Sequence, residues 1–158
     1  MSVAAVCPGS FDPFTLGHLD IVERAAARVD RLVVAVLANE HKQATFTVAE
    51  RMDMIAAATD HLGNVEVDRF EGLLVDLCAA KGIGIIVKGL RGVSDFEYEL
   101  QMAQMNQRIG GVETMFLVTS PEHAYLSSSL VKEVARWGGD IDGTVPPAVA
   151  TALRDRLG

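Results

Sequence analysis

Cysteine is nearly missing from this 158-residue chain: only Cys7 and Cys78 occur, inside apolar runs and without the spacing of a metal-ligand set. They read as reduced core residues, which excludes a disulfide framework and a cysteine nucleophile. Positive charge is scarce too. Fourteen Lys and Arg against 21 Asp and Glu leave a formal net charge of −7, which argues against broad binding to nucleic acid, since that needs a basic surface. No apolar stretch reaches membrane-spanning length, and the N-terminus lacks the basic, apolar, small-residue order of a signal peptide. No membrane association and a cytoplasmic location are therefore expected. Internal repeats, low-complexity tracts and long linkers are absent as well. With 49% apolar content, residues 1–158 suit a single soluble domain.

What is present is an alternation of β-branched runs and helical patterns. Val3–Cys7, Leu32–Ala38, Val65–Phe70, Ile83–Lys88 and Met115–Thr119 read as five strands with helices between them. Strands separated by helices need crossover connections, so the expected fold is α/β: one Rossmann-like domain with a five-stranded parallel sheet and helices on both faces. Thr47 to Glu50 and Ser94 to Glu97 have capping-box form, Ser127 suits a third helix start, and Pro147 suits the first turn of a last helix over Ala148–Leu157.

Ligands of open parallel sheets bind beyond the carboxyl ends of the strands. The unusual polar residues fall in those loops: Ser10 and His18 after strand one, His41 and Lys42 after strand two, Lys88, Gly89 and Arg91 after strand four, and His123 with Ser127–Ser129 after strand five. Lys42, Lys88 and Arg91 would form a local positive pocket in an acidic protein, fit for a polyphosphate. The segment Cys7-Pro8-Gly9-Ser10-Phe11-Asp12-Pro13-Phe14-Thr15-Leu16-Gly17-His18 joins a strand to a helix whose apolar positions include Leu19, Ile21, Val22, Ala25, Ala26 and Val29. His18 thus rides a first helical turn, where free N–H groups and the helix dipole favour an anion.

Gly9-Ser10-Phe11-Asp12-Pro13 followed by Thr15-Leu16-Gly17-His18 resembles the signature of the nucleotidyltransferase superfamily with the (H/T)xGH motif. Val87 to Arg91, Asp95 to Leu100 and Ser127 to Val134 extend the likeness over nearly the whole chain, to the bacterial phosphopantetheine adenylyltransferase family. The resemblance implies transfer of the adenylyl group of ATP to 4'-phosphopantetheine, giving dephospho-coenzyme A and pyrophosphate, the penultimate step of coenzyme A synthesis. It implies direct in-line attack with no covalent enzyme intermediate. Such chemistry needs no Ser-His-Asp or paired-carboxylate apparatus, because a phosphate monoester, with a second pKa of about 6, is already largely dianionic.

By the same resemblance, His18 stabilises the transition state at the α-phosphate and Ser10 contacts both substrates. Lys42 and Lys88 hold the acceptor phosphate, with Lys88 standing where arginine is common and so giving up a planar fork for a point charge. Leu74 matches a contact to the pantetheine arm. Arg91 and Ser127, Ser128 and Ser129 match the grip on the β- and γ-phosphates. Phe11, Gly89, Leu90, Glu99, His123, Ala124, Tyr125 and Leu126 complete the ATP site, Glu99 near the ribose and His123 replacing an adenine-side aromatic.

Asp12, Asp95 and Glu97 make no recognisable metal cage, and Asp95 and Glu97 read as favourable charges in a helix's first turn, so Mg2+ is expected with ATP. His41 and His61 read as surface residues. Gly82-Ile83-Gly84 precedes a strand instead of following one, so it reads as an ordinary turn and not as a dinucleotide fingerprint. The helix over Ser94–Ile109 is apolar on two faces, Phe96, Leu100 and Ala103 on one and Tyr98, Met102, Met105 and Ile109 on the other. A monomer buries only one such face easily, and the resemblance implies a homohexamer. It also makes feedback inhibition by coenzyme A an expectation. Two alternatives stay open: a related transferase acting on nicotinate mononucleotide or glycerol phosphate, and a non-catalytic adenine-nucleotide sensor.

Overall fold

The computed structural model describes residues 1–38 and 43–158, with the side chain of Ser94 excepted. Five parallel strands, β1 (Ala4–Gly9), β2 (Arg31–Leu37), β3 (Val65–Phe70), β4 (Ile85–Leu90) and β5 (Glu113–Val118), form one sheet in the order β3-β2-β1-β4-β5. Helices α1 (Leu16–Ala26), α2 (Val48–Ala58), α3 (Leu74–Lys81) and α4 (Val93–Gly110) connect them, and α5 (Ser128–Arg136) and α6 (Pro147–Leu157) follow a short 3-10 turn at Pro121–His123. This is the α/β architecture expected from the alternating pattern.

The strand alternation divides the core between the two faces of the sheet. Ala5, Cys7, Leu32, Val34 and Val36 pack with Ile21, Val22, Ala25 and Ile55 of α1 and α2. Their neighbours Val6, Val33 and Ala35 pack with Val75 and Cys78 of α3. Interior strand β2 is fully buried from Leu32 to Val36, as a near-continuous Val-rich run requires when helices cover both faces. Burial pushes the Cys7 thiol up to about 12 and raises that of Cys78 as well, so both thiols are inert core groups, as expected.

Sheet topology also places the crevice. The chain builds outward from β1 to β3, then returns to add β4 and β5 on the other side. The reversal falls between β1 and β4, whose register covers only Ala5 with Ile85 and Val6 with Ile86, whereas β1 and β2 pair from Ala4 to Gly9. Beyond Val6 the two strands separate, opening a gap at their carboxyl ends where such folds bind ligands.

Several local expectations shift. Strand four lies two residues later than predicted, so Lys88, Gly89 and Leu90 belong to β4 and only Arg91 follows it. Thr47 and Glu50 form the expected capping box on α2, and Ser127 caps α5 by accepting from the Leu130 N–H. The Ser94 to Glu97 pattern does not fall at the helix boundary. Gly92, which has no side chain to cap with, is the N-cap of α4, and Asp95 but not Glu97 lies in the first turn. The helix starts two residues too early for that pattern to sit at its boundary. Gly82 ends α3 in the left-handed conformation, an ordinary turn.

Helix α4 departs further. Phe96, Tyr98, Leu100, Met102, Met105 and Ile109 are all exposed, Tyr98 at 63% and Met105 at 53%, and of its described side chains only Asn106 is buried. α4 packs against α3 and edge strand β5, and both of its apolar faces remain largely open, so the single chain leaves uncovered more apolar surface than the one face the sequence pattern suggested. No helix among the described residues is long and apolar enough to cross a membrane.

Candidate active site

His18 is the third residue of α1 and closes a capping box with Thr15. The Thr15 N–H donates to His18 Nδ1 at 3.0 Å, and the His18 N–H donates to Thr15 Oγ1 at 3.2 Å. Since Nδ1 accepts a backbone proton, the ring's own proton resides on Nε2. Phe14 stacks on the imidazole with centroids 5.7 Å apart, and Phe11 meets it edge-on at 5.1 Å. The ring therefore has one tautomer and one orientation. Burial, and secondarily the nearby Arg91 cation, lower its pKa from 6.5 to about 4, so His18 is neutral at pH 7 and offers one donor, Nε2–H.

The phosphate-type turn before α1 is held from below. Buried Asp12 accepts from the N–H groups of Thr45 and Phe46 at 2.9 and 2.8 Å and from Lys132 Nζ at 3.1 Å. Buried Arg51 donates to the carbonyls of Ser10, Phe46 and Leu37, at 2.7, 3.1 and 3.3 Å. Phe11 adopts a positive φ of 51°, a conformation that side chains tolerate only when their surroundings impose it. Gly9 is required beside it, because a Cβ there would stand 2.9 Å from the Phe11 ring. Gly17 is different. A Cβ there would meet its nearest protein atoms at 3.5 to 3.6 Å, ordinary contact, so the protein itself does not demand glycine at this position.

Above this turn lies a cavity of about 400 Å³ at the carboxyl ends of β1 and β4. Ser10, Phe11, His18, Lys88, Gly89, Arg91, Glu99, His123, Leu126 and Ser127–Ser129 all line it, so three of the four predicted strand ends, those of β1, β4 and β5, converge there, joined by Glu99 of α4. Gly89 permits a close approach there: a Cβ would press within 2.9 Å of Ile21 on α1. Leu90, Ala124 and Tyr125 do not line the cavity, and Tyr125 is largely exposed. Leu74 opens α3 at the same sheet edge but packs partly buried against the α3-side core, also outside the cavity wall. His41 and Lys42 lie outside the described residues. His61 is exposed, as expected, 3.8 Å from Glu23.

The hydrogen bonds revise what each group offers. Of the first-turn N–H groups of α1, that of Leu16 donates to the Thr144 carbonyl and that of His18 is capped, leaving Gly17 N–H as the free donor among the described residues. In the serine run, Ser127 Oγ caps α5 and Ser128 Oγ donates to the Pro13 carbonyl at 2.8 Å. An anion would thus meet the Ser129 hydroxyl and the N–H groups of Ser128 and Ser129 rather than three free hydroxyls. Arg91 donates to the Leu126 carbonyl at 2.9 Å and lies 3.4 Å from Asp95. Lys88 Nζ pairs with Glu99 Oε2 at 2.6 Å. His123 Nδ1 is buried with no hydrogen-bond partner among the described residues. No group of three or more His, Cys, Asp or Glu among the described residues is placed to hold a metal ion.

Sequence reasoning missed Thr15, Phe14, Asp12 and Arg51. Thr15 has a visible signal, a cap residue three before His18, but histidine in place of Glu or Gln disguises the box. Asp12 and Arg51 act across long sequence separations and leave no local pattern.

Comparison with known proteins gives the family. The cytidylyltransferase-like family model matches residues 6–134. A phosphopantetheine adenylyltransferase of Streptomyces coelicolor is 58% identical over 153 residues, 97% of this chain and 96% of the relative. One from Frankia casuarinae is 59% identical over 157 residues, 97% of each chain. Among solved structures, a Vibrio parahaemolyticus protein provisionally named a nicotinate-nucleotide adenylyltransferase superposes with a TM-score of 0.67 over 98% of this chain and 99% of its own, at 18% identity, a likeness of fold.

Proposed function

Because the chain belongs to the phosphopantetheine adenylyltransferase family of cytidylyltransferase-like nucleotidyltransferases, we propose that it adenylylates 4'-phosphopantetheine with Mg-ATP, releasing dephospho-coenzyme A and pyrophosphate as the penultimate step of coenzyme A synthesis. All 158 residues act as one nucleotidyltransferase domain. The observation that carries the reading is His18: neutral, protonated on Nε2, and fixed at the wall of a cavity that also holds Lys88, Arg91 and the start of α5.

The acceptor phosphate supplies its own nucleophilic oxygen. As that oxygen bonds to the α-phosphorus, the α–β bridging bond breaks and pyrophosphate leaves as a stable anion, so no protein base and no covalent intermediate are needed. The enzyme's task is to align two polyanions and to stabilise the charge that grows on the α-phosphate. His18 Nε2–H and Gly17 N–H serve the α-phosphate. Lys88, together with Lys42, serves the acceptor phosphate, and Ser10 borders both substrates. Arg91, Ser129 and the first N–H groups of α5 serve the β- and γ-phosphates. Phe11, Gly89, His123 and Leu126 wall the nucleotide side, with Leu90, Ala124 and Tyr125 flanking it in sequence, and Leu74 meets the pantetheine arm. Mg2+ enters as part of the substrate Mg-ATP.

The open apolar surface of α4 supports assembly of identical subunits, and the reading is a cytoplasmic homohexamer subject to feedback by coenzyme A, which shares the pantetheine arm. Light scattering that finds a monomer at micromolar concentration overturns the assembly.

Pyrophosphate release tests the reaction, with 4'-phosphopantetheine, nicotinate mononucleotide and, using CTP, glycerol phosphate as acceptors. Release with phosphopantetheine alone is expected. Release only with another acceptor overturns the substrate, and tight ATP binding without turnover on any acceptor points to a sensor.

A further inference from the structure

The two cations that line the described cavity are matched by carboxylates of one helix. Lys88 Nζ lies 2.6 Å from Glu99 Oε2, and Arg91 Nη2 lies 3.4 Å from Asp95 Oδ2. Asp95 and Glu99 are four residues apart, so α4 carries them on one face, a turn from each other. The closer pair is also the more enclosed: the Lys88 and Glu99 side chains are 27% and 20% exposed, against 40% for both Arg91 and Asp95.

A carboxylate at this position has two opposed effects. Its charge repels an arriving phosphate and so weakens ground-state binding of the acceptor. It also aims the ammonium. Lysine is a point charge on a flexible four-carbon stem, with none of the fixed fork that lets arginine address two oxygens at once, so its direction has to come from a neighbour. The ammonium has three donors, and one held by Glu99 leaves two for a ligand.

We propose that Glu99 is a positioning residue for Lys88, holding the ammonium where it meets the acceptor phosphate and giving up ground-state affinity for transition-state alignment. This rests on reading the cavity as the site of two phosphate-bearing substrates. It differs from the role of a ribose contact, which would act on ATP and be indifferent to Lys88.

Steady-state kinetics of the full-length enzyme with Mg-ATP and 4'-phosphopantetheine separate the two roles. Glu99→Gln keeps shape and hydrogen-bonding capacity and removes the charge. It is expected to lower kcat about tenfold and the acceptor KM about threefold while leaving the ATP KM unchanged. Glu99→Asp keeps the charge but shortens the reach, and its kcat should fall between the two. Lys88→Met with Glu99→Gln should be no slower than Lys88→Met alone, since each residue acts through the other. A raised ATP KM with unchanged acceptor constants in Glu99→Gln overturns the proposal, as do independent, multiplying losses in the double variant. Turnover of the wild type only with another acceptor overturns the proposed substrate instead, and the same variants assayed with that acceptor then decide the role of Glu99.

Discussion

On the β1 wall of the crevice the groups assigned to chemistry are tied to buried backbone, whereas on the β4 wall two cations lean on carboxylates of a helix whose apolar faces are open. His18 is gripped by Thr15, Phe11 and Phe14, and the turn before it by Asp12 and Arg51. Lys88 and Arg91 instead pair with Glu99 and Asp95 of α4. The difference follows from the tasks. A donor that must meet charge developing on one phosphorus gains from having a single orientation, since no reorganisation is then needed as the reaction proceeds. Cations that admit and release polyanions gain from partners they can share.

The first way to break the contrast is to cut the anchor under the β1 wall. Arg51→Leu removes the buried guanidinium that serves the carbonyls of Ser10, Phe46 and Leu37 and should lower unfolding free energy by about 3–5 kcal/mol in urea denaturation. A loss under about 1 kcal/mol would mean that water can take over these bonds and that the wall is softer than its geometry suggests.

Next comes His18→Ala. Removing the oriented side-chain donor should raise the barrier by on the order of 3 kcal/mol in kcat/KM while ATP still binds by calorimetry. Unchanged turnover would remove His18 from the chemistry.

The pH response sharpens the same point. The folded-state pKa of His18, about 4, lies below its ordinary value of 6.5, so between these values the unfolded chain binds the proton more readily. The contribution of His18 to stability is therefore full above pH 6.5 and is lost as the pH falls toward 4. Ring resonances of the ligand-free protein should titrate near 4, and a midpoint near 6.5 would reveal an open, hydrated ring. Bound triphosphate should move the midpoint upward, since an anion favours the imidazolium.

The smallest effect is expected from Thr15→Ala. Loss of the cap should destabilise the protein by about 1 kcal/mol. The Thr15 backbone N–H remains, so nitrogen shifts of the ring should still report protonation at Nε2. A mixture of tautomers would show that the side chain, and not the main-chain donor, sets the ring.

The order of elements was readable because each is a local pattern. Runs such as Leu32–Val36 have a strand's composition, and Thr47, Ser127 and Pro147 mark helix starts through bonds or dihedral preferences that span a few residues. Most of the candidate cavity was readable for the same reason: in a parallel sheet every strand's carboxyl end reaches the same edge, so knowing the strands places their loops together. The predictions slipped at boundaries. The Ser94 to Glu97 pattern is as good a capping box as Thr47 to Glu50, yet the chain leaves β4 and enters α4 at Val93, and tertiary packing settles that position.

The sequence by itself thus determined the α/β alternation, the convergence of Ser10, His18, Lys88, Arg91 and Ser127–Ser129 at one sheet edge, and the acidic balance that makes those cations a local feature. Only the tertiary structure decided what each group is free to do. It set the protonation and tautomer of His18, spent the Ser128 hydroxyl on Pro13, and paired Lys88 with Glu99. It also joined Asp12 to Lys132 and Arg51 to Ser10. The bonds from Arg51, Ser128 and Lys132 bridge 41, 115 and 120 positions. Such bonds depend on distances that exist only after the sheet has formed, whereas periodicity and caps act between residues that the chain already holds side by side.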